Sequence, residues 1–213
     1  MYLIFDTETT GLPRNWRAPI TDLDNWPRLV QLAWQLHDRN GNSIERGDFI
    51  VKPEGFIVPT DASRIHGITH ERALGEGIAL ADALQKFEVA LANSEYLIAH
   101  NMSYDEKIIG AEFLRNNKKN FLETKKKICT MESATNFCAI PSPRGGFKWP
   151  NLGELHQKLF NEGFMGAHNA ATDVAITAKC FFALKAQGII IADSINTINT
   201  TPPTAVPTQA SLF

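Results

Sequence analysis

The chain has 213 residues, 44% of them hydrophobic and 21% charged, an ordinary composition for one compact water-soluble domain with a full apolar core. Its net charge of −2 excludes a protein that holds long nucleic acid by phosphate contacts alone, which would be basic, so any such partner must be gripped locally. Three cysteines (Cys129, Cys138, Cys180) without C-x-x-C spacing exclude a disulfide framework or a cysteine zinc site and point to a reducing compartment. No apolar stretch reaches membrane-spanning length. The first apolar run stops at Asp6, too early for a signal peptide. The expectation is a soluble, cytoplasmic protein with no membrane partner.

In chain order, residues 2–5 read as a buried strand that Asp6-Thr7-Glu8 closes. Segments 28–37 and 43–52 flank Asn40-Gly41, the strongest short hairpin signal, and are predicted to pair antiparallel. A short helix is expected at 62–66 and a longer one at 79–92, where Leu80, Leu84, Phe87 and Leu91 form one apolar stripe. Residues 95–99 form a second buried strand. Helix 103–116 follows, with Ile108, Ile109, Phe113 and Leu114 facing inward. Residues 126–130 suit a fifth strand, and 141–146 a loop. Helix 152–160 can be capped by Asn151, and helix 171–187 ends at Gly188. A meander followed by strands alternating with helices implies an α/β fold with a mixed five-stranded sheet flanked by helices. The folded domain is expected over 1–190. From 193 to 208 the chain turns Asn-, Thr-, Ser- and Pro-rich, which reads as a flexible linker within a 191–213 tail.

Asp6 and Glu8 stand two apart on a strand, so both carboxylates point to one side and can share hard cations. Taken alone such a pair is weak evidence, since chance supplies about two in a chain this acidic, and Asp22/Asp24 is another. Asp105 falls in the first turn of a helix beyond a strand's carboxyl end, where open α/β sheets place ligands. An isolated aspartate there would simply favour the helix dipole. Asp173 lies in the first turn of the last helix, five residues after His168. Five helical residues turn through about 500°, so the two meet at one site only with His168 on the preceding loop. Histidine there can take a proton from water near neutral pH.

As an ordered set, Phe5-Asp6-Thr7-Glu8-Thr9-Thr10-Gly11-Leu12, His100-Asn101-x-x-Tyr104-Asp105 and His168-Asn169-Ala170-x-x-Asp173 resemble the three motifs of the DEDDh 3′–5′ exonucleases, nearest to the epsilon-type proofreading branch and its stand-alone relatives. Ile65-His66-Gly67-Ile68-Thr69 is similar to a fourth element of that group. The resemblance covers residues 2–186, with Tyr104 where phenylalanine is usual and a longer segment at 14–24. It implies an RNase H-like fold, two divalent metal ions (Mg²⁺, with Mn²⁺ able to substitute) and release of nucleoside 5′-monophosphates. Asp6, Glu8, Asp105 and Asp173 fall on the metal-ligand positions and His168 on the general base. Thr9, Leu12, Asp61 and His66 fall where the terminal nucleotide is contacted. The implied partner is the 3′ end of nucleic acid, DNA before RNA. An RNA-trimming exonuclease and a non-catalytic clamp- or polymerase-binding module are the alternatives, the latter opposed by the complete set of five catalytic side chains.

Other segments leave two readings open. Lys118, Lys119, Lys125, Lys126 and Lys127 form either a solvated loop or a guide for a strand. Arg144, Phe147, Lys148 and Trp149 either stack on bases or anchor their loop. Trp16 and Trp26 are either lid or core. The tail Gln209-Ala210-Ser211-Leu212-Phe213 resembles the short peptides with which bacterial replication and repair proteins dock on the sliding clamp. A linker of this length would span about 20–25 Å as a random coil, keeping the enzyme near a DNA end. A DNA polymerase subunit is a further possible partner.

Overall fold

The computed structural model of the chain describes residues 1–192. The tail at 193–213, with Gln209, Leu212 and Phe213, lies outside the described residues. Within them, β1 (Tyr2–Thr9), β2 (Leu29–His37), β3 (Ser43–Ile50), β4 (Tyr96–Ala99) and β5 (Lys126–Cys129) form one sheet in the order β3-β2-β1-β4-β5. The β1–β2 and β2–β3 pairs are antiparallel, β1–β4 and β4–β5 parallel, so the expected mixed five-stranded sheet is present.

The hairpin turn is held by Asp38, whose carboxylate accepts from the backbone of Asn40 and Asn42 at 2.8 Å, with Gly41 at φ 91°. Among the described residues eight α-helices alternate with or follow the strands: α1 (Thr60–His66), α2 (His70–Glu76) and α3 (Leu80–Ala92) between β3 and β4, α4 (Met102–Arg115) between β4 and β5, and after β5 the one-turn α5 (Thr130–Ser133) and α6 (Thr135–Cys138), α7 (Leu152–Phe160) and α8 (Ala170–Ala186). Asn151 and Glu154 form a reciprocal capping box on α7. Sequence periodicity passed over α2, a seven-residue helix whose start is set by Thr69 accepting from the Arg72 amide.

Strand alternation sends Leu3, Phe5, Leu32 and Trp34 to one face, under α3 and α4, and Tyr2, Ile4, Ala33 and Ile98 to the other, under α8. The result is helix–sheet–helix layering. Of the inward assignments on α4, Ile108, Ile109 and Phe113 are buried and Leu114 is not. Leu114 is only half-buried, whereas Glu112 is fully buried. Its Oε1 accepts from Arg28 Nε at 2.9 Å and from the Leu29 amide at 3.0 Å, and Arg115 lies 2.9 Å away. Arg115 also donates to the carbonyls of Leu23 and Trp26, and Trp26 is buried. The long segment after Leu12 is therefore a strap fastened to α4, and of its two tryptophans Trp26 belongs to the core.

A Cβ built at Gly47 on β3 would lie 2.2 Å from the Trp34 ring, while one at Gly75 in α2 meets nothing within 4 Å. Gly47→Val is therefore expected to cost about 1–3 kcal/mol by overpacking. Gly75→Ala is expected to stabilise by about 0.4–1 kcal/mol through a stiffer unfolded chain. Urea unfolding checks both, and equal stability of the two variants contradicts the packing of Trp34.

Candidate active site

The site forms where the two faces of the sheet meet at the end of β1. Asp6 and Glu8 stand on the α8 face, and α8 brings Asp173 to them from its first turn. Carboxylate oxygens of Asp6, Glu8 and Asp173 all lie within 4.8 Å of one another. Thr7, between them, points to the opposite face, where its backbone N–H and hydroxyl donate to Asp105 Oδ1 at 3.1 and 2.7 Å. Asp105 is buried and stands behind the other three, within reach of their charge. Four acidic groups from three remote parts of the chain are thereby assembled by one strand.

Electrostatics records the cost. Asp6 is held well above the carboxylate range, first by burial and then by the charges of Asp105, Asp173 and Glu8. Glu8 is pushed up to about 8 by burial and by Asp173 and Asp105. Burial also raises Asp105 against the lowering effect of the Thr7 hydrogen bonds. Asp173 is raised by burial too, opposed by the His168 N–H, which donates to Asp173 Oδ2 at 3.0 Å. The other oxygen, Oδ1, is buried and accepts no hydrogen bond from the described residues. All-oxygen donors, mutual repulsion and an orphaned buried carboxylate oxygen fit a hard divalent cation such as Mg²⁺.

His168 lies on the loop before α8, as the spacing required, in the left-handed region at φ 63° with an exposed side chain. His66 is buried at the end of α1 and its Nδ1 accepts from the Ile68 amide at 3.1 Å. Its pKa is lowered by burial, despite the backbone of Thr9 alongside, and further by the charge of His168. His66, Thr9 and His168 thus share one neighbourhood. Leu12 is exposed beside it in sequence, at 56%. Asp61 is not drawn in: its side chain is 92% exposed and pairs with Arg64 at 2.9 Å.

The Tyr104 hydroxyl has a specific use here. It donates to the Gly11 carbonyl at 2.7 Å and lies 2.6 Å from the Thr9 hydroxyl, with the Trp16 ring 5.6 Å away between centroids. Trp16 therefore packs beside the site. His100 is structural, bridging Thr130 and the Pro150 carbonyl at 3.0 Å each, and burial lowers its pKa to about 4. In the basic cluster, Lys118, Lys126 and Lys127 pair with Glu88, Glu95 and Glu106, which fits the solvated-loop reading. Phe147 stays exposed and Trp149 half-buried, with Lys148 paired to Glu154.

The sequence profile of the RNase_T family, described as Exonuclease, matches residues 3–181. The chain belongs to that exonuclease family. Among curated relatives of this exonuclease chain are the PolC-type DNA polymerase III of Streptococcus agalactiae (serotype III, strain NEM316), 30% identical over 181 residues, and that of Streptococcus thermophilus (strain LMD-9), 27% identical over 202. The alignments cover 85% and 92% of this chain but only 11% and 12% of those proteins. Among solved structures, E. coli exonuclease I in its zinc-bound complex with single-stranded DNA superposes with a TM-score of 0.69 at 21% identity, over 87% of this chain and 40% of that one. Its complex with a dT13 oligonucleotide gives 0.68 at 21%, over 86% and 40%. The RNase H-like fold expected from the motifs is the fold found. No helix among the described residues is long and apolar enough to cross a membrane.

Raised carboxyl pKa values mean that the folded chain keeps protons the unfolded chain has released. Stability from this source is present below the ordinary carboxylate range and is lost as pH rises through about 8. In chelator, the melting temperature is expected to fall from about pH 5 to about pH 8.5, Mg²⁺ to reverse the fall, and Glu8→Gln to flatten it. A Glu8→Gln profile parallel to the unaltered protein would show that Glu8 titrates normally.

Proposed function

We propose that this family member is a 3′–5′ exonuclease acting on DNA ends in replication proofreading or repair, releasing nucleoside 5′-monophosphates. The observation that carries the reading is the convergence of Asp6, Glu8 and Asp173 within 4.8 Å, with Asp105 directly behind, in a chain whose family is defined by exonucleolysis. DNA as substrate is supported by the named DNA polymerase relatives and by the single-stranded DNA bound in the exonuclease I structures.

Asp6, Glu8 and Asp173 would hold one Mg²⁺, and Asp6 with Asp105 a second, Mn²⁺ being able to substitute. When bound, such ions lower the pKa of water and offset charge on the phosphodiester and its leaving oxygen. The protein's own residues do the rest. His168, exposed and unpacked at the rim, takes the proton of the attacking water. Its backbone N–H keeps the Asp173 carboxylate turned toward Asp6 and Glu8. Thr9 and Leu12, braced by the Tyr104 hydroxyl, receive the terminal sugar and base, with His66 beside them. Asp61 reaches the terminal nucleotide only by leaving Arg64.

His168→Ala is expected to lower kcat by roughly 10²–10⁴-fold while leaving DNA affinity largely intact. Digestion of 3′-labelled single-stranded DNA, mismatched duplex and RNA, with Mg²⁺ and with Mn²⁺, provides the test. Near-normal turnover removes His168 from its role, activity after exhaustive chelation ends the two-ion account, and preference for RNA moves the enzyme to RNA trimming.

The tail residues Gln209, Leu212 and Phe213 dock on a sliding clamp, and a DNA polymerase subunit is a second partner. The peptide's sequence supports the first, the PolC-type relatives the second. Deleting the last five residues is expected to abolish binding to the clamp in solution. Unchanged affinity rejects the docking role.

A further inference from the structure

One buried polar side chain beside the site is used by none of the chemistry above. Gln31 lies on β2 directly opposite Glu8 and is 3% exposed. Its Nε2 donates to Asp48 Oδ1 on β3 at 2.7 Å, and its Oε1 accepts from the Ala170 N–H at 3.2 Å. The Gln31, Ala33 and Asp48 positions share one face, because Ala33 is two residues along β2 from Gln31 and pairs with Asp48. That is the face carrying Asp6 and Glu8.

Ala170 is the first residue of α8 and completely buried. Its N–H is one of the donors that a helix start leaves without an internal partner. The other bonds of this turn are local to it. Asn169 accepts from the Thr172 amide at 3.2 Å, and His168 donates to Asp173. Among the described residues, the bond to Gln31 is the one side-chain hydrogen bond that refers this turn to the sheet. The apolar face of α8 still fixes the helix body through Val174, Ala178 and Phe181, but apolar packing does not fix where an exposed residue such as His168 comes to rest.

A carboxamide can bind with its oxygen and nitrogen exchanged. Asp48 and the Ala170 N–H remove that choice together, because a carboxylate only accepts and faces the NH₂ group while an N–H only donates and faces the oxygen. The oxygen is left pointing at α8. We infer that Gln31, oriented by Asp48, is a positioning residue that sets the His168–Asp173 turn against Asp6 and Glu8. The inference rests on the proposed roles of His168 and Asp173, and an error of about 1 Å in such placement costs on the order of 10²-fold in rate.

The test combines steady-state kinetics with amide hydrogen exchange on the full chain. Gln31→Leu is expected to lower kcat about tenfold or more, leave KM for a 3′-labelled oligonucleotide within about twofold, and speed exchange selectively in the peptide covering 163–172. Asp48→Ala, an exposed change on an edge strand, is expected to give the same pattern more weakly, because the Gln31 amide loses one of its two anchors. Exchange at 163–172 unchanged in both Gln31→Leu and Asp48→Ala overturns the anchor. Faster exchange everywhere, with kcat per folded molecule unchanged, reduces Gln31 to a structural residue and also overturns it. If the unaltered protein degrades no nucleic acid, the proposed function fails by itself, while the exchange measurement still decides whether Gln31 holds the turn.

Discussion

Mutual repulsion among carboxylates at the end of β1 is the constraint that the rest of the architecture opposes. Asp6, Glu8, Asp105 and Asp173 are all raised by loss of water, and Asp6, Glu8 and Asp105 are raised further by neighbouring carboxylates. Left to themselves, such groups separate or protonate. Each is instead tied down by a different device. The pleat fixes Asp6 and Glu8 on one face, two hydrogen bonds from Thr7 hold Asp105, and the His168 N–H holds Asp173. The positive charge of a hard divalent cation is the electrostatic complement of this arrangement.

The surroundings divide into a rigid frame and an exposed rim. The frame includes Glu112, fully buried two turns beyond Asp105 on α4, whose Oε1 is shared by Arg28, Arg115 and the Leu29 amide. Removing either arginine would leave a buried charge poorly compensated, which is costly, so this group fastens the strap, the start of β2 and α4 as one unit. The rim is the opposite in character. His168 and Leu12 are exposed, and Asp61 stands on the solvent side of α1. The rim side chains are accessible to solvent, while the acidic groups that define where charge sits are held by the frame.

Much of the site was legible because its motifs are local. Asp6 and Glu8 are two apart on a strand, and parity alone places them together. The five-residue gap between His168 and Asp173 required a loop before the last helix, and the loop is there. The strands and longer helices followed from alternation, from the Asn40-Gly41 turn and from the Asn151/Glu154 box. Short helices with little periodicity, such as α2, and polar residues whose partners are far away in the chain leave no such local signal. Glu112 reads as one more solvent-facing acid, and nothing near it in sequence announces Arg28, 84 residues distant. Thr7 gives no local sign of its partner either: its bonds to Asp105 cross 98 residues.

The sequence by itself determined the order of elements, the mixed sheet and the identity of the acidic residues, because periods of two and of 3.6 residues and the turn chemistry are written in neighbouring positions. Tertiary structure alone decided that Asp105 stands behind Thr7, that Trp26 is core while Trp16 lies against Tyr104, and that Gln31 reaches the start of α8. Those outcomes depend on which remote segments the sheet brings within hydrogen-bonding distance. That distance is a property of the packed layers and leaves no trace in the spacing of residues along the chain.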